Sequence, residues 1–234
     1  MSLAPVFRAH LRLASTSAIA LALLALVAVS CGTTSPPAVA GPDGWRRLFD
    51  GTSKRGWTMT GPGELKLENG ELVTHGGMGL LYYRPETFGD CQIRVVFKLS
   101  TPKDNSGVFI RIPERPSDPW FAVNRGYEVQ IDNTGDDRHR TGCLYSLSQA
   151  LAKPNAKVGD FSTMIITLDG PRTKVELDGV KITDFREGDT VPAKTVWHEP
   201  DRGPRPNHGY IGLQNHADDA RVHFKEVSVR PLPR

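Results

Sequence analysis

Two stretches decide how this chain folds: Asn105-Ser106-Gly107-Val108-Phe109-Ile110-Arg111 and Gly126-Tyr127-Glu128-Val129-Gln130-Ile131-Asp132. Each alternates with a period of two, the mark of a strand with one buried face. In the first, Val108 and Ile110 share the core face, while Asn105, Gly107, Phe109 and Arg111 share the other. In the second, Tyr127, Val129 and Ile131 face the core, and Glu128, Gln130 and Asp132 line the opposite face. Gly209-Tyr210-Ile211-Gly212-Leu213-Gln214-Asn215-His216 repeats the arrangement, with Ile211 and Leu213 inward and Tyr210, Gly212, Gln214 and His216 outward. These outer faces carry Arg, Glu, Gln and His among aromatics and glycines, where an ordinary solvated face would carry more Lys, Thr and Ser. Two readings stay open. If the strands are neighbours, their outer faces form a concave polar floor with aromatic walls, and the glycines leave room for something bulky. That suits a sugar, whose CH faces stack on rings and whose hydroxyls want bidentate partners. The other reading is a row of cross-strand ion pairs and amide ladders, such as Arg111 with Glu128.

The same alternation recurs elsewhere. Ile93, Val95 and Phe97 share a face, as do Met164, Ile166 and Leu168. Asn69-Gly70 and Asp178-Gly179 each sit between two alternating runs, and such pairs supply the positive φ values of a type I′ hairpin turn. Val222 and Phe224 face one way, and a register break is expected at Lys225-Glu226. The chain holds 23 Gly and 18 Pro, which suits short strands joined by turns and argues against a helix bundle. The prediction is an all-β fold, a two-sheet antiparallel β-sandwich or jelly roll, as one domain over residues 45–234. Pro113–Asn124, Asn133–Gly142, Ala150–Gly159 and Thr183–His208 read as surface loops, where binding groups often lie.

Ahead of that domain, Arg8 and Arg12 precede an apolar run of 12 residues, Ala18–Val29. A span of the hydrocarbon core needs roughly 17–25 residues, so the run reads as the apolar part of an export signal. Val27-Ala28-Val29-Ser30-Cys31 resembles a bacterial lipobox, with Ala28 where Leu is commonest. The resemblance implies a lipoprotein signal peptide over residues 1–30, lipidation of Cys31, and a flexible tether over residues 31–44. The protein would then be exported and held on the periplasmic or extracellular side of the envelope through the lipid anchor only. The alternative is a plain signal peptide cut nearby, with Cys31 incidental. The formal charge is +3, and falls to +1 once Arg8 and Arg12 are removed. With no basic block, nothing electrostatic points to a nucleic-acid partner. Cys91 and Cys143 form either a disulfide or two buried thiols.

Several sharper signatures are missing: HExxH, a Gly-rich phosphate loop before a helix, and GxSxG. The histidines show no ligand pair at i, i+2 or i+4, so a divalent metal ion is compatible with the sequence but not required by it.

The ordered set of Leu48-Phe49-Asp50-Gly51, Gly56-Trp57, Glu68–Val73, Phe88-Gly89-Asp90, Asn105–Arg111, Gly126–Asp132, Gly142-Cys143-Leu144-Tyr145, Leu177–Val180 and Gly209–His216 resembles the 3-keto-disaccharide hydrolase family. It runs from Trp45 to Leu232. Departures are Asp160-Phe161-Ser162-Thr163 where a Glu-Trp-Asn-like run is usual, Cys91 at a commonly aromatic position, and Cys143 where Ser or Ala is common. The resemblance implies a concanavalin A-like lectin/glucanase sandwich with its site on the concave sheet. It also implies cleavage of glycosides already oxidised to a ketone at sugar C3. That ketone acidifies the C2 proton and sets the C1 leaving group β to the carbonyl, so elimination and water addition replace the two-carboxylate displacement of ordinary glycosidases. The chemistry needs a base at C2, a group on the developing enolate oxygen and a proton for the leaving oxygen.

On this reading Glu128 is the base, Arg111 the enolate stabiliser, and His216 the acid or a second stabiliser. Asn105 and Gln130 orient hydroxyls, and Phe109, Asp132, Tyr145, Tyr210 and Gln214 complete the substrate-binding set. A divalent metal ion would replace or assist Arg111. The competing expectation is a non-catalytic carbohydrate-binding envelope lipoprotein, because fold does not fix function. The third is a structural envelope lipoprotein whose polar face contacts protein. Trp197–Asn207 (WHEPDRGPRPN) reads as a basic, Pro-rich loop at the rim of the site.

Overall fold

A computed structural model describes residues 40–233. The expected signal peptide and Cys31 lie outside the described residues, as does the tether up to residue 39. The described strands are β1 (Arg46–Phe49), β2 (Trp57–Thr60), β3 (Glu64–Glu68), β4 (Glu71–His75), β5 (Gly79–Tyr83), β6 (Cys91–Leu99) and β7 (Asn105–Ile112). A short helix α1 (Pro119–Arg125) follows, then β8 (Tyr127–Asp132), β9 (Ser162–Asp169), β10 (Arg172–Leu177), β11 (Val180–Arg186), β12 (Tyr210–Asn215) and β13 (Val222–Pro231).

The strands form two antiparallel sheets. An eight-stranded sheet runs β11-β10-β9-β6-β13-β4-β3, with β1 also paired to β13. A five-stranded sheet runs β2-β5-β12-β7-β8. The three stretches read first in the sequence are therefore neighbours, as β12, β7 and β8. Their inward residues Val108, Ile110, Val129, Ile131, Ile211 and Leu213 are fully buried against Ile93, Val95, Phe97, Ile166 and Phe224 of the other sheet. Each such side chain contributes about 1.5–3 kcal/mol of burial free energy. The fold is the β-sandwich that the alternation predicts.

Local signals read from the sequence appear where they were placed. Asn69 (φ 50) and Gly70 (φ 81) turn β3 into β4, and Asp178 (φ 48) and Gly179 (φ 83) turn β10 into β11. The register of β13 shifts between Phe224 and Glu226.

Three expectations fail. Thr183–Arg186, read as the start of a loop, close strand β11. Pro113–Asn124 is not all loop, because α1 starts within it. The Asp118 side chain accepts a hydrogen bond from the Phe121 amide at 3.0 Å, and Pro119 sits in the first turn. Ala122 and Val123 of this helix cover the outer face of the five-stranded sheet, burying Leu80, Tyr82, Phe109 and Ile112 in a second apolar cluster. The strict alternation of β7 also breaks at Arg111, whose φ is 54. Between Phe109 and Ile112 the pairing to β12 slips by a residue, so Arg111 leaves the outer face. Gly209 permits this bulge, since a Cβ there would stand 2.6 Å from Arg111 Cα and from Ile112 N.

Candidate active site

A cavity of about 760 Å³ opens over the outer face of the five-stranded sheet. Its floor is built by side chains that alternation turns outward: Asn105 on β7, Glu128, Gln130 and Asp132 on β8, and Gln214 on β12. His216, just past β12, and Tyr145 complete that end. Tyr145 is held beside β8 because its amide donates to Glu128 O at 2.9 Å, while the Gln130 amide donates to Cys143 O at 2.9 Å.

Glu128 is strongly perturbed by its burial. It is 7% exposed and reaches across β7 over Gly107. A Cβ at Gly107 would stand 2.7 Å from Glu128 Cγ and 2.9 Å from its Cδ. The room left by this glycine is thus filled by the carboxyl itself. Gly212 likewise makes room for Leu80, whose Cδ1 would lie 2.7 Å from an added Cβ. Neither glycine admits a ligand, contrary to the expectation from sequence. Burial pushes the Glu128 carboxyl up to about 8, against the opposing pull of the Gln214 amide. It therefore holds its proton at neutral pH. Burial, and then the nearby Glu128, also raise the Tyr145 hydroxyl to about 12, which keeps it a neutral donor. His216 is open to the cavity, yet the protein around it displaces enough water to hold its imidazole below the ordinary value. His198 adds to that lowering, while Asp132 and Asp219 oppose it.

The floor amides are linked. Gln130 Nε2 donates to Asn105 Oδ1 at 3.3 Å, and Asn105 Nδ2 donates to Asp132 Oδ2 at 3.2 Å. The other Asp132 oxygen accepts from the Thr134 amide at 2.7 Å. Two buried acceptors, Gln130 Oε1 and Gln214 Oε1, find no hydrogen-bond partner among the described residues. A buried acceptor left unpaired costs about 1–3 kcal/mol, so both favour a ligand that brings donors.

Three residues assigned to the site from sequence stand elsewhere. Arg111 is 1% exposed and lies outside the cavity wall. Its Nη2 donates to Gly170 O at 2.6 Å and to Arg172 O at 3.3 Å. Its Nη1 donates to Pro206 O at 3.1 Å and to Asn207 Oδ1 at 3.2 Å. The guanidinium therefore ties the bulge of β7 to the β9–β10 turn of the opposite sheet. It neither pairs with Glu128 nor reaches an enolate. Phe109 is fully buried beneath α1. Tyr210 packs edge-on to Tyr82 at 6.1 Å and does not line the cavity.

The wall holds residues that strand reading missed. Trp120 and Val123 come from α1, and Thr195 to Glu199 from the long loop after β11. The arginines of that loop turn away from the cavity and pin the loop in place. Arg202 donates to Pro192 O at 2.7 Å and to Pro200 O at 2.6 Å, while Arg205 donates to Gly126 O at 2.9 Å and to Asn124 O at 2.8 Å. Burial pushes the Glu199 carboxyl up, but the Thr195 amide, Ser146 and Arg202 more than offset this and leave it below the usual range. The cavity lining contains no Lys or Arg. Among the described residues no group of three or more His, Cys, Asp or Glu is placed to hold a metal ion, so no residue set is assigned to the divalent ion considered above.

The family model for the 3-keto-alpha-glucoside-1,2-lyase-like domain matches residues 44–230. No curated protein matches the chain. Among solved structures, a Parabacteroides distasonis ATCC 8503 protein provisionally named a glycosyl hydrolase is 21% identical, with a TM-score of 0.64 over 82% of this chain and 95% of that one. A Bacillus subtilis protein of unknown function with a galectin-like fold is 13% identical, with a TM-score of 0.53 over 80% and 94%. The exoplasmic/lumenal domain of VIP36, in a form bound to Ca2+ and Man3GlcNAc, is 12% identical, with a TM-score of 0.51 over 83% and 90%. These structural likenesses establish the fold.

Proposed function

The chain belongs to the 3-keto-alpha-glucoside-1,2-lyase-like domain family, and on that premise we propose that it cleaves glycosides bearing a ketone at sugar C3, by elimination followed by addition of water. The observation that carries this reading is the buried carboxyl of Glu128 on the floor of a cavity that Tyr145 and His216 also line; burial raises that carboxyl to about 8 and lowers the imidazole.

A buried neutral carboxylic acid next to a tyrosine hydroxyl is a known way to bind an enolate oxygen. Glu128 and Tyr145 donate to the C3 oxygen and fill the role that Arg111 cannot reach. His216, uncharged at neutral pH, takes the C2 proton. The C2–H electron pair first becomes the enolate. It then forms the C1–C2 double bond as the C1–O bond breaks, and the departing oxygen takes a proton through cavity water. The products of this step are a free alcohol or sugar and an enone. Water adding across that double bond, with its oxygen on C1, yields the free 3-keto sugar. Asn105, Gln130, Asp132 and Gln214 hold the ring hydroxyls, and the two unpaired amide oxygens accept from them. In this reading Glu128 is the proton-holding donor and not the base expected from sequence, because burial raises its carboxyl to about 8.

The test uses the purified full chain with a 3-keto disaccharide and its unoxidised parent. Release of free sugar from the ketone alone supports the reading. Binding of both without release supports a carbohydrate-binding module and contradicts it. We also propose that the protein is exported and lipid-anchored through Cys31. Incorporation of a palmitate analogue that Cys31→Ala abolishes supports the anchor, and secretion of unlabelled wild-type protein contradicts it.

A further inference from the structure

The cavity is divided along its length. The hydrogen-bonding side chains, Asn105, Glu128, Gln130 and Gln214, rise from the strands. The opposite wall presents Met78, Val123 of α1, Val196 on the loop and two tryptophans, while its polar members Thr195 and Glu199 are bonded to each other and Glu199 to Arg202, which leaves His198 as its free polar side chain. Trp120 and Trp197 meet with ring centroids 4.8 Å apart at 51°. That spacing is too close for another ring to enter between them. Trp197 is 73% exposed and Trp120 37% exposed, so the pair offers one broad aromatic surface at the cavity mouth. An indole left this open on a single loop gives up burial free energy that a stacked ligand ring would recover. The loop is fixed by Arg202 and Arg205, so the surface is preformed. Beside it, Glu199 is already engaged by Thr195 and Arg202, so His198 is the one uncommitted polar side chain on that wall and a second sugar would find few bidentate partners there.

We propose that the Trp120–Trp197 surface is the leaving-group subsite, and that the preferred substrate carries an apolar, ring-bearing aglycone rather than a second sugar. This rests on the function proposed above, and it names which half of the substrate each half of the cavity takes. The oxidised sugar lies on the polar floor, and the aglycone stacks on the tryptophans. With no Lys or Arg in the lining and with Asp132 present, anionic leaving groups are disfavoured as well.

The experiment compares the full chain, purified in detergent, with Trp197→Ala and Trp120→Ala. The substrates are the methyl and benzyl 3-keto-α-glucosides and a 3-keto disaccharide. Methanol and benzyl alcohol are similar leaving groups, so the ratio of their kcat/KM values reads contact rather than chemistry. The expected result is about a tenfold preference of the wild type for benzyl over methyl. Trp197→Ala should lose that preference through KM, its kcat/KM falling about tenfold further on the benzyl than on the methyl glucoside. The disaccharide should fall below the benzyl glucoside. Equal rates for benzyl and methyl, or an equal loss on both in Trp197→Ala, would overturn the subsite while leaving the function standing. A preference for the disaccharide would overturn it too. Failure of the wild type on all three ketones would overturn the function, and the subsite with it. Trp197 is so exposed that its replacement leaves folding intact, and Trp120→Ala gives the second reading of the same surface.

Discussion

The carboxyl of Glu128 lies over the backbone of Gly107, so close that a Cβ on that glycine would stand 2.7 Å from Glu128 Cγ. The pairing register explains it. Phe109 is opposite Glu128 and Gly107 is opposite Gln130, so the carboxyl leans diagonally toward the one position on β7 without a side chain. Gly107→Ala needs no unusual backbone angle, but it forces the buried carboxyl to move. Turnover is expected to fall by about 10²-fold, since small displacements of a catalytic group are costly. Stability should fall by about 1–3 kcal/mol from overpacking. Steady-state kinetics and a denaturant titration on the same preparation check both. Full activity in Gly107→Ala would separate the glycine from the site.

Keeping Glu128 protonated has a price in stability that depends on pH. The unfolded carboxyl ionises above its ordinary value of 4.5, and the folded one only above about 8. Between those values the folded state carries a proton that the unfolded state has lost, so stability falls as pH rises through the window. Glu128→Gln has no such titration. Its stability advantage over wild type should grow from pH 5 to pH 8 by as much as about 1.4 kcal/mol per pH unit. Thermal melts of the two proteins across that range should diverge. Parallel curves would mean that Glu128 ionises normally.

Arg111 behaves as a structural tie. Arg111→Met leaves the carbonyls of Gly170, Arg172 and Pro206 without this donor. The expected loss is about 1–3 kcal/mol of stability, the scale for leaving buried acceptors unpaired. Turnover per folded molecule should stay within a few-fold of wild type. A fall of 10²-fold or more at unchanged stability would return Arg111 to the enolate.

Cys91 and Cys143 are both free and buried. Burial first, with Asp90 adding, raises the Cys91 thiol to about 12, and burial raises the Cys143 thiol to about 11. Neither should react with an alkylating reagent at pH 8 until the protein is unfolded, when peptide mapping should find both labelled. A disulfide-linked peptide pair would contradict this.

The fold was legible because its signals are local. Asn69-Gly70 and Asp178-Gly179 carry their turns in two residues, and period-two alternation puts Val108, Val129 and Ile211 in the core without reference to anything distant. Seven of the ten proposed site residues line the cavity, and five of them, Asn105, Glu128, Gln130, Asp132 and Gln214, do so for the same reason: alternation turns them outward on adjacent strands. The failures are non-local. The bulge that withdraws Arg111 is made by the approach of Gly209 from another strand, and nothing in Val108-Phe109-Ile110-Arg111 announces a positive φ. Helix α1 is seven residues long, too short for a periodic pattern, although Asp118-Pro119 is a readable start signal. The contact between Trp120 and Trp197 joins residues 77 positions apart. Burial, which raises the Glu128 carboxyl to about 8, is likewise not written in the local sequence, and it is the ground for proposing a donor there in place of the base expected from sequence.

The central claim is that Glu128 works as a neutral donor and His216 as the base. Solvent deuterium exchange at C2 of a 3-keto glucoside, followed by NMR in wild type, Glu128→Gln and His216→Ala, tests it most directly. The account predicts that exchange survives in Glu128→Gln at a reduced rate, because the amide still donates, and falls by at least about 10²-fold in His216→Ala. Exchange lost in Glu128→Gln and retained in His216→Ala would contradict it.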